Sequence, residues 1–447
     1  MLDMRHPSLS RDTIFAPASG GGRAAIAVVR VSGPACARAL DALAPGARLP
    51  DRVATLRALR DPSTGETLDR ALVLRFEAPR SFTGEEMAEL QVTGGRAVVG
   101  GVLRALAGVP GLRPAEPGEF AWRAFENGKL DLSEVEGLAD LVEAETAAQR
   151  RQALRIAGGA LSRESEAIRA KLIEAMALVE AQIDFSDVED ADALSLEAVR
   201  ALAAEAANPV RAALAGAAAG ARLRQGFNVV IAGPPNVGKS TLMNALAHRD
   251  VSIVSALPGT TRDLVEVPLE LRGFPVTLVD TAGIRETNDP IEREGVARAR
   301  RRAEQADLTL WLNDAAAPIP LPAPSGATLP VLTKIDQMNG DATPSDDAIR
   351  ISALTGAGLD RLLDAIADAA EAGMAGPAPT LITLERHRIA FADALDAIER
   401  ALDPRQEAVE LVAEDLRLAA RALERIVGRI DVEEVLGDIF SRLCVGK

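Results

Sequence analysis

Four short motifs in a fixed order constrain this chain more than any other feature. They are GPPNVGKST (Gly233 to Thr241), PGTTRD (Pro258 to Asp263), DTAG (Asp280 to Gly283) and TKID (Thr333 to Asp336), and SALTG (Ser352 to Gly356) follows them. A lone G-x-x-x-x-G-K-[ST] match occurs in many nucleotide enzymes and by chance. Five elements in order within about one domain's length leave a nucleotide-binding α/β fold as the reading. NVVIAG (Asn228 to Gly233) reads as a short buried strand running into the glycine loop. Strands and helices then alternate to about residue 374, the pattern of a doubly wound domain.

The residue types fit phosphate chemistry. Backbone N–H groups of Asn236, Val237, Gly238, Lys239, Ser240 and Thr241 can surround phosphates at a helix N-terminus, where the dipole also favours anions. Gly233 and Gly238 permit the tight turn. Lys239 is placed for the β- and γ-phosphates and the Ser240 hydroxyl for Mg²⁺. Thr261 lies in the first switch, where a threonine completes the magnesium shell, and Ser255 and Thr260 stand in the same nucleotide-binding segment. Asp280 ends the strand TLVD as the second carboxylate toward magnesium. Thr281, Ala282 and Gly283 follow it, and the Gly283 N–H can meet the γ-phosphate.

Guanine recognition needs an acceptor for the ring N–H and amino donors, which Asp336 supplies, with Lys334 beside it and Ser352, Ala353 and Leu354 in register. GTP is therefore expected over ATP. Thr333 stands where an asparagine is usual, so a bracing amide is missing and weaker affinity is expected. Ile284 and Arg285 follow DTAG and cannot orient water as a glutamine does, leaving Glu286, Glu292 and Glu294 as alternatives. Asn236 could help bind a cation beside the phosphates, in place of an arginine finger.

At 447 residues the chain is expected to form two or three domains. Its 48% hydrophobic and 26% charged content describes a globular protein. MLDMRHPSLSRD lacks the apolar core of a signal peptide and no long apolar run exists, so the expected location is cytoplasmic, with no membrane partner. Cys36 and Cys444 form no metal or redox pattern. A net charge of −15 repels nucleic acid on average, so RNA contact requires a local basic surface. Of fifty basic residues only Lys129, Lys171, Lys239, Lys334 and Lys447 are lysines, which singles out Lys129 and Lys447 beside the two in motifs.

Before the nucleotide motifs, AAIAVVRVSG, RALVLRFEAP and MAELQVTGG look like strands and VGGVLRALAGV like a helix, an α+β domain over 1–120. Residues 121–222 turn helical, with Leu132, Val135, Leu138 and Leu141 at helical spacing and a second helix through IRAKLIEAMALVEAQI. The acidic DFSDVEDAD (Asp184 to Asp192) breaks the pattern. After the nucleotide domain (223–376), EAGMAGPAP reads as a linker and 377–447 as helical again. The α/β domain is thus expected as an insertion in a helical domain built from both flanks.

These stretches together resemble the MnmE (TrmE) family of tRNA-modification GTPases over essentially the full length. The matching residues are DTIFAPASGGGRAAIAVVRVSG, SFTGEEMAELQVTGG, RPAEPGEFAWRAFENGKLDLSEVEGLADLV, the nucleotide motifs, and EDLRLAARALERIVGRIDVEEVLGDIFSRLCVGK. The resemblance implies a multidomain fold: an α+β folate-binding N-terminal domain, an all-α helical domain and an inserted Ras-like α/β G domain. It implies a homodimer formed through the N-terminal domains, with potassium accelerating hydrolysis where G domains meet. By position Asn236 contacts that ion, with Ser255, Leu257 and Thr260 completing its loop, and Glu292 orients the attacking water. A folate site carries over to Arg30, Glu89, Lys129 and Lys447, for 5,10-methylenetetrahydrofolate or 5-formyltetrahydrofolate.

The resemblance also implies a flavoprotein partner, MnmG (GidA), in a heterotetramer, with FAD and NADH on that partner. Together they add an aminomethyl or carboxymethylaminomethyl group to carbon 5 of the wobble uridine of tRNA. Thr93 stands where the family often has histidine, and Cys444 fits a family cysteine that reads better as packing. The alternative is a ribosome-assembly GTPase of the Era or Der type. That reading needs a KH-like module or a second G domain, and neither is visible in the sequence.

Overall fold

The computed structural model describes residues 12–184, 196–249, 266–280, 306–317, 326–338, 348–375, 380–406, 408–430, 439–440, 443 and 446. The chain divides into two compact units. The first comprises residues 1–139, 157–162 and 424–447, and the second residues 140–156 and 163–423.

The first unit is built on a six-stranded sheet, in the order β3-β4-β5-β2-β1-β6. Its strands are β1 Thr13–Pro17, β2 Ile26–Ser32, β3 Thr55–Arg60, β4 Thr67–Phe76, β5 Met87–Thr93 and β6 Leu112–Pro114. β1 and β6 run parallel and the other pairs antiparallel. Alternation sorts the side chains: Ala27, Val29 and Val31 of β2 are buried with residues of α1 (Cys36–Leu43) and α2 (Arg96–Ala107). The opposite face carries Arg30, Val28 and Ile26, in register with Glu89, Gln91 and Thr93. The strands and the helix expected around AAIAVVRVSG, RALVLRFEAP, MAELQVTGG and VGGVLRALAGV are all present.

α3 (Glu119–Glu126) sets Phe120 against Ile14 and Ala16 on one end of that opposite face. Its Glu119 is 4% exposed and accepts from Arg113 at 2.6 Å and Arg123 at 3.0 Å. Burial alone raises a carboxyl pKa, but the Arg113, Glu116 N–H and Arg123 hydrogen bonds outweigh it and hold Glu119 below its ordinary value. The C-terminal residues belong to this unit through close backbone approach. A Cβ on Gly118 would lie 2.3 Å from the Phe440 carbonyl oxygen, and one on Gly446 2.1 Å from that of Pro17.

The second unit opens with the end of α4 (Leu132–Glu143) and with α5 (Ala147–Ala157), and continues along α6 (Ala160–Asp184) and α7 (Leu196–Gln225). The helical spacing expected from Leu132 through Leu141 is the helix α4, and IRAKLIEAMALVEAQI lies in α6. The acidic break lies almost wholly outside the described residues. Its second sheet has the order β12-β11-β10-β7-β9-β8. The strands are β7 Phe227–Ala232, β8 Glu266–Leu271, β9 Phe274–Asp280, β10 Leu308–Asp314, β11 Thr328–Thr333 and β12 Ile349–Arg350, and α8 (Lys239–Ala247) follows β7. All neighbours are parallel except β8, which pairs antiparallel with β9. From central β7 the chain visits β9 on one side and β10 on the other, a topological switch point at whose carboxyl edge such sheets bind ligands.

α9 (Leu359–Met374) closes the sheet core, with Ala370 and Met374 buried. The segment read as a linker from Glu371 is therefore helical as far as Met374, because Met374 continues the apolar stripe of α9 into the core. α10 (Glu385–Leu402) and α11 (Val409–Val427) return to helix. Gly216 and Gly220 of α7 let residues 380–382 run close: a Cβ on Gly220 would stand 2.2 Å from the Ile382 carbonyl oxygen.

Candidate nucleotide site

The loop between β7 and α8 turns on backbone that few residues adopt. Gly233 has φ +149°, Asn236 +60° and Gly238 +97°. A Cβ on Gly233 would lie 2.4 Å from the Leu312 carbonyl oxygen of β10, so the loop passes directly over that strand. Lys239 begins α8, and its Nζ donates to the carbonyls of Gly233 (3.0 Å) and Pro234 (2.8 Å), which curls the ammonium back over the loop. The Ser240 hydroxyl donates to Asp280 Oδ2 at 3.0 Å, and Asp280 is buried at the end of β9. A hydroxyl and a carboxylate side by side form the hard-oxygen donor set that magnesium takes. Val237 is buried, whereas the side chain of Asn236 is exposed at the loop's crest.

The base-recognition loops assemble at the adjacent strand ends. Ile335 N donates to the Ile351 carbonyl at 3.3 Å, joining TKID to the residue just before SALTG. Lys334 has φ +59° and its Nζ lies 2.7 Å from Asp314 Oδ2. That hydrogen bond holds the Asp314 carboxyl below its ordinary pKa. Asp336 is exposed on a short 3-10 turn, Ile335–Gln337. Ser352 is fully buried and accepts from Thr355 N, while Ala353 is half-buried and Leu354 is 81% exposed.

Thr333 behaves differently from the expectation that its replacement of asparagine removes a brace. Its side chain is 3% exposed, and Oγ1 lies 2.7 Å from the Val237 carbonyl and 3.2 Å from that of Asn313. One hydroxyl proton serves one acceptor at a time, and the shorter contact ties the base loop to the phosphate loop. Thr333→Val keeps the shape and removes the donor, so the buried Val237 carbonyl loses its partner. The expected loss is about 1–3 kcal/mol of unfolding free energy, with Thr333→Ser much closer to the parent. Thermal unfolding with and without guanine nucleotide measures it.

The residues predicted for the nucleotide site thus separate into two groups. Val237, Gly238, Lys239, Ser240, Asp280 and Thr333 lie along one sheet edge with Lys334, Asp336 and Ser352, as the preceding contacts describe. Ser255, Leu257, Thr260, Thr261, Thr281, Ala282, Gly283 and Glu292 lie outside the described residues, as do Glu286, Glu294, Cys444 and Lys447. Asp314 and the Leu312 carbonyl were not anticipated. The strand-ending WLND could have flagged Asp314, whereas a backbone oxygen leaves no mark in a sequence.

A second cluster lies on the first unit's sheet. Arg30 Nη2 and Nε reach Glu89 Oε1 at 2.9 and 3.2 Å, and Nη1 donates to the Gly446 carbonyl at 3.3 Å. The Phe82 and Phe120 ring centroids lie 5.2 and 5.7 Å from the guanidinium carbon. Lys129 is exposed beside Gly84, its Cγ 3.3 Å from where a Gly84 Cβ would stand. No contact joins it to Arg30 among the described residues. Thr93, in the place of the family histidine, donates to Asp69 through both its N–H (2.6 Å) and hydroxyl (3.3 Å).

Comparison with known proteins covers nearly the whole chain. Residues 13–129 match the family model described as the GTP-binding protein TrmE N-terminus, and residues 132–444 match the MnmE helical domain. The tRNA modification GTPase MnmE of Beijerinckia indica is 54% identical over 98% of this chain and 96% of its own. That of Methylobacterium sp. strain 4-46 is also 54% identical, over 98% of this chain and 100% of its own. Among solved structures, the G domain of the T. maritima FeoB iron transporter is 25% identical, covering 32% of this chain and 98% of that one, with a TM-score of 0.22.

Proposed function

Since this chain belongs to the MnmE family of tRNA-modification GTPases, we propose that it hydrolyses GTP to drive modification of the wobble uridine of tRNA. In this reading it acts with an MnmG-type flavoprotein that carries FAD and uses NADH, and a tetrahydrofolate one-carbon unit builds the aminomethyl or carboxymethylaminomethyl group. The observation that carries the nucleotide part is the pairing of Ser240 with Asp280 at 3.0 Å, at the switch point beneath the glycine loop.

Lys239 leaves the Gly233 and Pro234 carbonyls for the β- and γ-phosphate oxygens. The N–H groups of residues 236–241 hold the same phosphates at the start of α8. Ser240, Asp280 and Thr261 would hold magnesium, and Thr281, Ala282 and Gly283 would serve the γ-phosphate. Magnesium held there would supply positive charge to the phosphates. Asp336 accepts from the guanine ring, with Thr333, Lys334, Ser352, Ala353 and Leu354 around it. Asn236, Ser255, Leu257 and Thr260 would hold potassium, and Glu292 would orient the attacking water.

Arg30, Glu89, Lys129 and Lys447 form the folate site. A guanidinium and a carboxylate side by side suit the donor and acceptor edge of a pterin, and flanking aromatic rings suit its face. The same face of the sheet supports a homodimer. Leu56 pairs with Leu72, and both are exposed (54% and 41%), as is Ile26 at 61%. An exposed cross-strand apolar pair such as Leu56 and Leu72 suits an association surface. We place the domains at 1–120, 121–222 with 377–447, and the inserted G domain at 223–376, in a cytoplasmic protein. Among the described residues no helix is long and apolar enough to cross a membrane.

The test is reconstitution with the flavoprotein, NADH, methylenetetrahydrofolate, GTP and tRNA bearing an unmodified wobble uridine. GTP-dependent appearance of the C5-substituted uridine by mass spectrometry is expected. Modification that proceeds equally without this chain contradicts the proposal.

A further inference from the structure

We propose that the exposed face of α5 is a contact surface for tRNA phosphates, formed by Arg150, Arg151 and Arg155 around Leu154. It rests on the tRNA-modification reading above. α5, AAQRRQALRIA, carries three arginines and no acidic residue, in a chain whose net charge is −15. Ala148, Gln152, Ala153 and Ile156 are buried on one side of the helix. Helical periodicity puts residues 150, 151, 154 and 155 on the other, where all three arginines are exposed and Leu154 is 51% exposed.

Some arginines on other helices of this chain hold a carboxylate about one turn away, although, among the described residues, the exposed Arg96, Arg104, Arg361 and Arg421 are spread singly without one. Arg169 meets Glu166 at 2.9 Å, Arg388 meets Glu385 at 2.5 Å and Arg417 meets Glu414 at 2.5 Å. Among the described residues none of the three α5 guanidinium groups has such a partner. Arg151 and Arg155 are moreover like charges at i and i+4, which weakens a helix rather than supporting it. A polyanion relieves that repulsion, and a guanidinium fork binds phosphate oxygens in pairs. One exposed leucine offers too little apolar area for the core of a protein interface, so RNA backbone fits this face better than an acidic protein.

Equilibrium binding of labelled tRNA to the full-length chain, repeated across KCl concentrations, tests the assignment. Replacing all three arginines by glutamine is expected to weaken binding by at least about tenfold. The slope of log affinity against log salt should become shallower by about 2–3, roughly one per lost phosphate contact. GTP turnover, which none of these residues serves, should be unchanged and reports the fold. The triple lysine variant keeps the charges and should bind within about threefold of the parent. The single Arg155→Gln change should lower the slope by about one, so the prediction survives a triple variant that fails to fold.

Parental affinity and slope in a folded glutamine variant overturn the surface while leaving the tRNA reading intact. A parent chain that binds no tRNA even at low salt overturns both. If the glutamine variant keeps tRNA but loses the flavoprotein, the face is a protein interface and the RNA assignment falls.

Discussion

Replacing Gly233 by alanine is expected to lower GTP affinity by roughly 30- to 150-fold while leaving the first unit's sheet folded. Two independent costs meet at this residue. Its φ of +149° belongs to backbone that essentially only glycine adopts. An added Cβ would stand 2.4 Å from the Leu312 carbonyl oxygen, and that atom is fixed because β10 lies between β7 and β11 in the sheet. The loop has to lift from the strand, taking the N–H groups of residues 236–241 away from the phosphates. Together these costs amount to about 2–3 kcal/mol. Gly238 provides the control: its φ is +97°, but nothing lies within 4 Å of its Cβ position, so Gly238→Ala should be the milder change. Titration with a fluorescent GTP analogue separates the two. Parental affinity in Gly233→Ala is the contrary outcome, since it requires the loop to sit elsewhere.

Glu292→Ala is expected to reduce GTP turnover by about 10²- to 10⁴-fold with nucleotide affinity nearly unchanged. The residues after DTAG are Ile284 and Arg285, neither of which can accept a proton from water at neutral pH. Hydrolysis therefore needs a carboxylate from elsewhere, and the family resemblance selects Glu292 from the three glutamates nearby. Glu292→Gln keeps an amide able to orient water but not to take its proton, and should retain more activity than alanine. Single-turnover hydrolysis beside equilibrium binding distinguishes a chemical defect from a binding one. Undiminished turnover in Glu292→Ala transfers the role to Glu286 or Glu294.

Much of this molecule was legible because its function depends on local patterns. A glycine loop between strand and helix, a carboxylate at a strand end and a lysine at a helix start are each fixed by a few consecutive residues. The pairing of Ser240 with Asp280 follows from two such motifs lying on adjacent parallel strands, β7 and β9. Thr333 was only partly legible because its contact is a tertiary distance. Sequence shows a missing amide, whereas the structure shows a hydroxyl 2.7 Å from the Val237 carbonyl.

The C-terminal segment illustrates a second limit. Periodicity identifies helix in residues 377–447 but does not say which neighbour it joins. Residues 424–447 belong with the N-terminal sheet because Gly118 and Gly446 admit backbone at contact distance. Glu371 to Met374 were read as linker because alanine and glycine carry little pattern, yet Met374 reaches the core of the second sheet.

The most direct test of the account is GTP hydrolysis by the purified chain in potassium against sodium, at matched ionic strength. With Asn236 held at φ +60° on the crest of the glycine loop, its exposed side chain is available to a cation beside the phosphates. Turnover at least about tenfold faster in potassium is expected, with that advantage lost in Asn236→Ala. Equal turnover in both salts would contradict the account, because the positive charge offsetting the transition state would then have to come from another group.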